Sequence, residues 1–196
     1  MQSKVLYPSM LDSVIGGLRN NTLINTLAVV MGSLLIVLGA QIYITLPFTP
    51  VPITGQTLSV LVVGSLLGAR RSVLSVMLYI LYGAIGFPVF SENSGGLQFL
   101  MGATGGYIFG FALCAYVVGK FTEKGWDRTL VRSLSVMLLG QLLIFAPGLL
   151  WLSQYVGIEN VLEKGFYPFV VGGIIKTLLA GSSSVLIWKL INKLKN

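Results

Sequence analysis

Six apolar stretches, at about residues 22–46, 56–69, 72–86, 102–121, 129–154 and 166–191, leave this 196-residue chain few ways to fold. A bilayer core of about 30 Å is crossed by roughly 20 apolar helical residues, and within it each backbone N–H and C=O must be paired inside the segment. The expected fold class is therefore an all-α integral membrane protein with six transmembrane helices. Composition agrees: 55% of residues are hydrophobic, mean hydropathy is +0.86, only 10% are charged and histidine is absent, outside the range of soluble domains. The second and third stretches are short and separated only by Gly68-Ala69-Arg70-Arg71, which reads as a tight helical hairpin. The first is too long and too smoothly continued for an uncut signal peptide. No repeat, low-complexity run or flexible linker divides the chain, so residues 1–196 read as one domain.

Basic residues orient the helices. With the N-terminus in the cytoplasm, Lys4, Arg19, Arg70, Arg71, Lys120, Lys124, Arg128, Arg132, Lys189, Lys193 and Lys195 all fall inside, and the C-terminus is inside too. Lys164 alone falls in an outer loop, with Glu92, Glu159 and Glu163 on the same side, while Lys176 lies within the last span. The net charge of +7 is thus a topology signal. A nucleic-acid surface is not indicated, because the bases sit at span ends without an interleaved aromatic strip.

Several chemistries lack their residues. Without histidine or clustered carboxylates there is no metal site, and Cys114, the single cysteine, reads as a packed thiol. Lys176 is the only intramembrane base and no acid lies inside a span, so neither a catalytic pair nor any cofactor is indicated. No phosphate-cradling G-x-x-x-x-G-K-[ST] loop is present, so energy for any transport must come from another subunit.

Two outer loops carry the polar groups. In TLPFTPVPITGQT (Thr45 to Thr57), Pro47, Pro50 and Pro52 stiffen a neutral, hydroxyl-bearing segment that suits a lid with Thr54 and Gln56 at its rim. The second, Phe87 to Tyr107, is rich in glycine, amides and hydroxyls and could carry Asn93, Gln98 and Thr104 to a ligand or simply meet water. Gly102, Gly106 and Gly110, continued by Cys114, form a small-residue seam for close helix packing, with Tyr107 beside it positioned to stack on a ligand. Lys176 is flanked at i−4 and i+4 by Gly172 and Ala180, a stripe suited to the protein interior. A mid-bilayer lysine costs roughly 2.5–3.5 kcal/mol unless paired, leaving a polar pocket, a bound anion or snorkelling as its explanation. Ala28 and Gly32 form a further small pair that fits either a docking groove for a partner helix or internal packing.

LGAQIYITLPFTPVPITGQTLSVLVVGSLLGAR (Leu38 to Arg70), GFPVFSENSGGLQFLMGATGGYIFGF (Gly86 to Phe111) and, more weakly, PFVVGGIIKTLLAG (Pro168 to Gly181) closely resemble the BioY family. These are the biotin-specific S components of energy-coupling-factor (ECF) transporters. The resemblance implies a six-helix bundle in a prokaryotic cell membrane that captures biotin in an outward-facing pocket. It further implies docking on a transmembrane (T) subunit with two cytoplasmic ATPases. Candidate biotin contacts are Thr54, Gln56, Asn93, Gln98, Thr104, Tyr107 and Lys176, and candidate docking positions are Ala28 and Gly32. The chain departs from the family pattern at Ala103 (commonly proline), at Ser72 (commonly glycine) and at Gly173, where the family resembles P-G-D-x-x-K. Loop amides of Asn93, Gln98 or Gln56 are expected to replace that aspartate. Other readings are an S component for another small vitamin or a biotin precursor, or a non-transport membrane scaffold.

Overall fold

The computed structural model describes residues 8–16 and 20–195. Lys4 and Arg19 lie outside the described residues, as does the side chain of Lys195. The described chain is almost wholly helical: α1 (Met10–Ile15), α2 (Thr22–Gln41), α3 (Gln56–Leu67), α4 (Ala69–Ala84), α5 (Leu97–Leu100), α6 (Gly105–Thr122), α7 (Leu130–Val156), α8 (Val161–Gly165) and α9 (Tyr167–Lys195). Its one sheet is a two-stranded antiparallel ribbon, β1 (Tyr43–Ile44) with β2 (Ile53–Thr54), pairing Tyr43 with Thr54 and Ile44 with Ile53.

Helix ends follow local chemistry. Asn21 caps α2 by accepting from the Ile24 N–H at 3.2 Å, and Ser9 and Asp12 form a reciprocal capping box on α1. Gly68, at φ +77°, makes the turn between α3 and α4, a conformation that favours a residue without Cβ. Ser72, where the family commonly has glycine, puts its hydroxyl 3.0 Å from the Ala115 carbonyl and so ties α4 to α6.

Four segments, Thr22–Gln41, Gly105–Thr122, Leu130–Val156 and Val161–Leu194, are long and apolar enough to cross a membrane. The α3–α4 pair differs from the expectation of six full spans. At about 1.5 Å per residue, α3 and α4 reach only about 18 Å and 24 Å, short of the roughly 30 Å hydrocarbon core. The first stretch also ends at Gln41, not at residue 46, because the chain turns there into the β-ribbon.

α6 and α7 share the most extensive interface, and α3, α4 and α9 pack around them. Tyr79, Phe111, Ile36, Leu61, Met137 and Ile144 from five helices meet in one core with Cys114. Leu23, Leu27, Met31, Leu34 and Leu38 instead make an exposed stripe along α2, as expected of a surface whose solvent is lipid. Gly32 faces the opposite way: a Cβ there would lie 2.5 Å from Ser75 Oγ of α4 and 2.9 Å from Leu67 of α3. The docking expectation is thus corrected at Gly32, whose smallness serves internal packing, while its companion Ala28 is half-buried.

Opposite the β-ribbon, the turn between α6 and α7 buries Asp127, which accepts a hydrogen bond from the Trp188 indole of α9. The Arg128 guanidinium stacks over the same indole at 4.1 Å. Burial pushes the Asp127 carboxyl up to about 6, against about 3.9 in an unfolded chain. The folded state therefore holds the proton more tightly, so ionising Asp127 costs stability. That cost is absent below about pH 4, grows between about pH 4 and 6, and is complete above. Two pKa units correspond to about 3 kcal/mol, and Asp127→Asn should recover roughly half, because it also gives up the attraction to Arg128. In thermal melts of the detergent-purified protein, the variant should gain a few degrees at neutral pH and lose the decline between about pH 4 and 6. Identical melting profiles across that range would contradict the assignment.

Candidate functional site

The β-ribbon and the α5 loop lie across the ends of α3, α6, α7 and α9, and beneath them is a cavity of about 570 Å³, counting the space at its mouth. Its walls are mostly apolar, from Val51, Ile108, Phe111, Ile144, Phe145 and Phe169. The polar lining residues are Thr54, Gln56, Thr57, Ser91, Thr104, Tyr107, Gln141 and Lys176. Among the described residues, Lys176 is the only charged one in the lining.

Lys176 joins the last helix to the lid. Its ammonium donates to the Thr54 carbonyl at 2.6 Å and to Thr57 Oγ1 at 3.0 Å. Both acceptors are neutral, so two N–H groups are paired while the charge has no carboxylate beside it in the cavity. The lid is held at three further points. Thr49 Oγ1 donates to the Lys164 carbonyl at 2.6 Å, the Gly55 N–H donates to the Ile42 carbonyl at 2.8 Å, and Thr54 Oγ1 donates to Gln56 Oε1 at 3.3 Å. The stiff proline segment is thus the tip of an anchored hairpin.

Five of the seven expected contacts meet here: Thr54, Gln56, Thr104, Tyr107 and Lys176. Besides Lys176 and Thr54, two of these already have polar partners within the chain. Gln56 Nε2 donates to the Tyr79 hydroxyl at 2.7 Å, and the Tyr107 hydroxyl donates to the Gly165 carbonyl at 2.9 Å, so Tyr107 offers the cavity its ring. Asn93 and Gln98 are exposed and outside the lining. Glu92 and Asn93 occupy consecutive left-handed positions, φ +60° and +52°, which suits asparagine in a turn. In α5, Phe99 and not Gln98 turns inward, stacking on Phe90 with centroids 5.1 Å apart. The replacement of the family's aspartate by Asn93 or Gln98 is therefore corrected: neither side chain reaches the cavity.

Sequence reasoning missed Thr57, Ser91, Phe99 and Gln141. Only Gln141 had a usable signal, as an amide in the middle of an apolar span. Gly173 lines the cavity with nothing within 4 Å of where its Cβ would be, so the space in front of it is open. Among the described residues, no group of three or more His, Cys, Asp or Glu side chains is placed to hold a metal ion.

Residues 13–193 match the BioY family. The biotin transporter BioY of Thermotoga maritima is 40% identical over 157 residues, 80% of this chain and 90% of that protein. The biotin transporter BioY of Rhizobium etli is 33% identical over 162 residues, covering 79% and 87% of the two chains. In three dimensions the chain resembles the crystal structure of the S-component for biotin from an ECF-type ABC transporter, with a TM-score of 0.78 over 87% of this chain and 94% of that one. That likeness, at 24% identity, establishes the shared fold. With a family match across nearly its whole length and close relatives covered almost end to end, the chain is a multi-pass membrane protein that belongs to the BioY family.

Proposed function

We propose that this protein captures biotin from outside a prokaryotic cell, as the S component of an ECF-type transporter. The observation that carries the reading is the cavity itself: apolar walls, a few hydroxyls and amides, and one cation bonded to the lid above it. Biotin has complementary chemistry. Its thiophane ring suits apolar walls, its ureido ring needs a donor and an acceptor, and its valerate brings one negative charge. The relatives named as biotin transporters support the same substrate.

In this reading residues 1–196 form one domain whose six helices all serve as membrane segments, the short α3–α4 pair completed by the lid. The cavity opens outward, both termini are cytoplasmic, and transport is energised by a separate T subunit and two cytoplasmic ATPases. The placement of basic residues supports the orientation. Ala28 remains the docking position proposed on α2.

Calorimetric titration of the detergent-purified protein with biotin, dethiobiotin and unrelated vitamins tests the substrate. Saturable tight binding of biotin is expected, and binding of none of them would remove the proposal. Co-purification of a membrane subunit and ATPases tests the assembly. A second reading, an S component tuned to another vitamin or to a biotin precursor, is favoured by the open space before Gly173; it predicts that one of the other compounds outcompetes biotin.

A further inference from the structure

Gln141 sits in the middle of α7, 4% exposed, and lines the cavity. Its Nε2 is the one buried side-chain nitrogen or oxygen of the lining that has no hydrogen-bond partner among the described residues. An amide donor removed from water and left unpaired destabilises a fold, and a ligand in the cavity that this residue lines would supply an acceptor.

Its depth is set by the packing of α7 against α9. Ser133 Oγ donates to the Gly181 carbonyl at 3.0 Å, which fixes the register of these neighbouring helices. They run in opposite directions. Gln141 is eight residues beyond Ser133 and Gly173 is eight residues before Gly181, so each lies about 12 Å from that bond toward the lid. The unpaired amide is therefore level with Gly173, where the carboxylate of the family pattern is missing and the space is open.

We propose that Gln141 reads the ureido ring of the ligand, in place of the carboxylate absent at position 173. This rests on the biotin reading given above. A primary carboxamide and a cyclic urea each present an N–H and a C=O side by side, so they pair through two parallel hydrogen bonds: Nε2 donates to the ureido oxygen and Oε1 accepts from a ureido N–H. Phe111 and Ile144 line the same cavity, and apolar surroundings strengthen such a pair. A carboxylate can only accept; the amide also donates. The pocket thereby recognises the urea as a neutral group and leaves the Lys176 charge unopposed.

Titration of the full chain in detergent with biotin, dethiobiotin and 2-iminobiotin tests this. The first two share the urea; in the third a guanidinium offers only N–H donors near neutral pH. Gln141→Leu should weaken biotin and dethiobiotin alike by at least tenfold, while the melting temperature without ligand stays the same or rises. Gln141→Glu should reverse the preference, losing biotin and gaining 2-iminobiotin. Biotin affinity unchanged in Gln141→Leu would overturn the proposal and leave a water as the partner of Nε2. Should Gln141→Leu not fold, an unreversed preference in Gln141→Glu overturns it. Should neither fold, wild-type protein must still prefer biotin to 2-iminobiotin by at least tenfold, and equal affinities overturn it. Wild-type protein that binds none of the three compounds fails the biotin reading itself, an outcome distinct from wild type and Gln141→Leu binding biotin equally well.

Discussion

Lys176→Met is expected to lower biotin affinity by roughly 10- to 100-fold while the protein remains folded. A charge-assisted hydrogen bond contributes about 1.5–3 kcal/mol, and each 1.4 kcal/mol is a factor of ten. Lys176 contributes in two ways. It is the only charge in the lining among the described residues, so its loss removes the attraction for an anionic ligand. It also anchors the lid through the Thr54 carbonyl and Thr57 Oγ1, so its loss frees the hairpin above the cavity. Thr57→Val separates the two: it removes one anchor and keeps the charge, and should raise the dissociation rate several-fold without abolishing binding. Biotin amide, which lacks the carboxylate charge, separates them again. If the ammonium reads the carboxylate, the amide binds wild type and Lys176→Met nearly alike; if it reads the ureido oxygen, both ligands lose equally. Affinity for biotin unchanged in Lys176→Met, with an unaltered melting temperature, would take Lys176 out of the site.

Much of this arrangement is legible in the chain, for identifiable reasons. The helices α4, α7 and α9 begin and end within a few residues of the apolar stretches, because in lipid the apolar run and the helix share one physical requirement. Lys176 stands out because a lysine inside a span needs an explanation. Thr54 and Gln56 follow from prolines that permit few backbone shapes. The misses arise where contacts distant in sequence decide. Asn93 and Gln98 are placed by a loop whose left-handed residues and inward Phe99 turn both polar groups away, which residue type alone does not reveal. The docking pair is divided because Gly32 meets Ser75 and Leu67, partners that appear only when α2, α3 and α4 are assembled. Gln141 sits in an apolar run, and its significance emerges only when its nitrogen is seen buried and unpaired in a residue that lines the cavity.

Gly106→Leu is expected to be a severe packing change, costing at least about 3 kcal/mol and abolishing ligand binding with the fold. Along the small-residue seam the glycines have different roles. Gly102 precedes α6, and its carbonyl accepts from the Trp151 indole at 2.9 Å, so it belongs to the turn that seats the α6 N-terminus. Gly106 is inside α6, where even a Cβ would collide with Trp151 Cβ and lie 2.6 Å from the Pro147 carbonyl. One of these obstacles is backbone, which cannot rotate aside. Relief would require α6 and α7 to separate along their most extensive interface, and the cavity takes Tyr107 and Ile108 from one helix and Gln141 and Ile144 from the other. Gly110 is less crowded: a Cβ there would stand 3.0 Å from Ile144 and from Pro147 Cγ, so small shifts can accommodate alanine. The order of thermal stability in detergent should be wild type, then Gly110→Ala, then Gly106→Ala, with Gly106→Leu failing to give a monodisperse protein. Equal stability of Gly106→Ala and Gly110→Ala would mean that α6 and α7 are not held at the distance described. If the order holds, the loss of biotin binding in the Gly106 variants should track the loss of fold, whereas in Lys176→Met binding falls while the fold persists; that contrast separates the residues that shape the cavity from the one that supplies its charge.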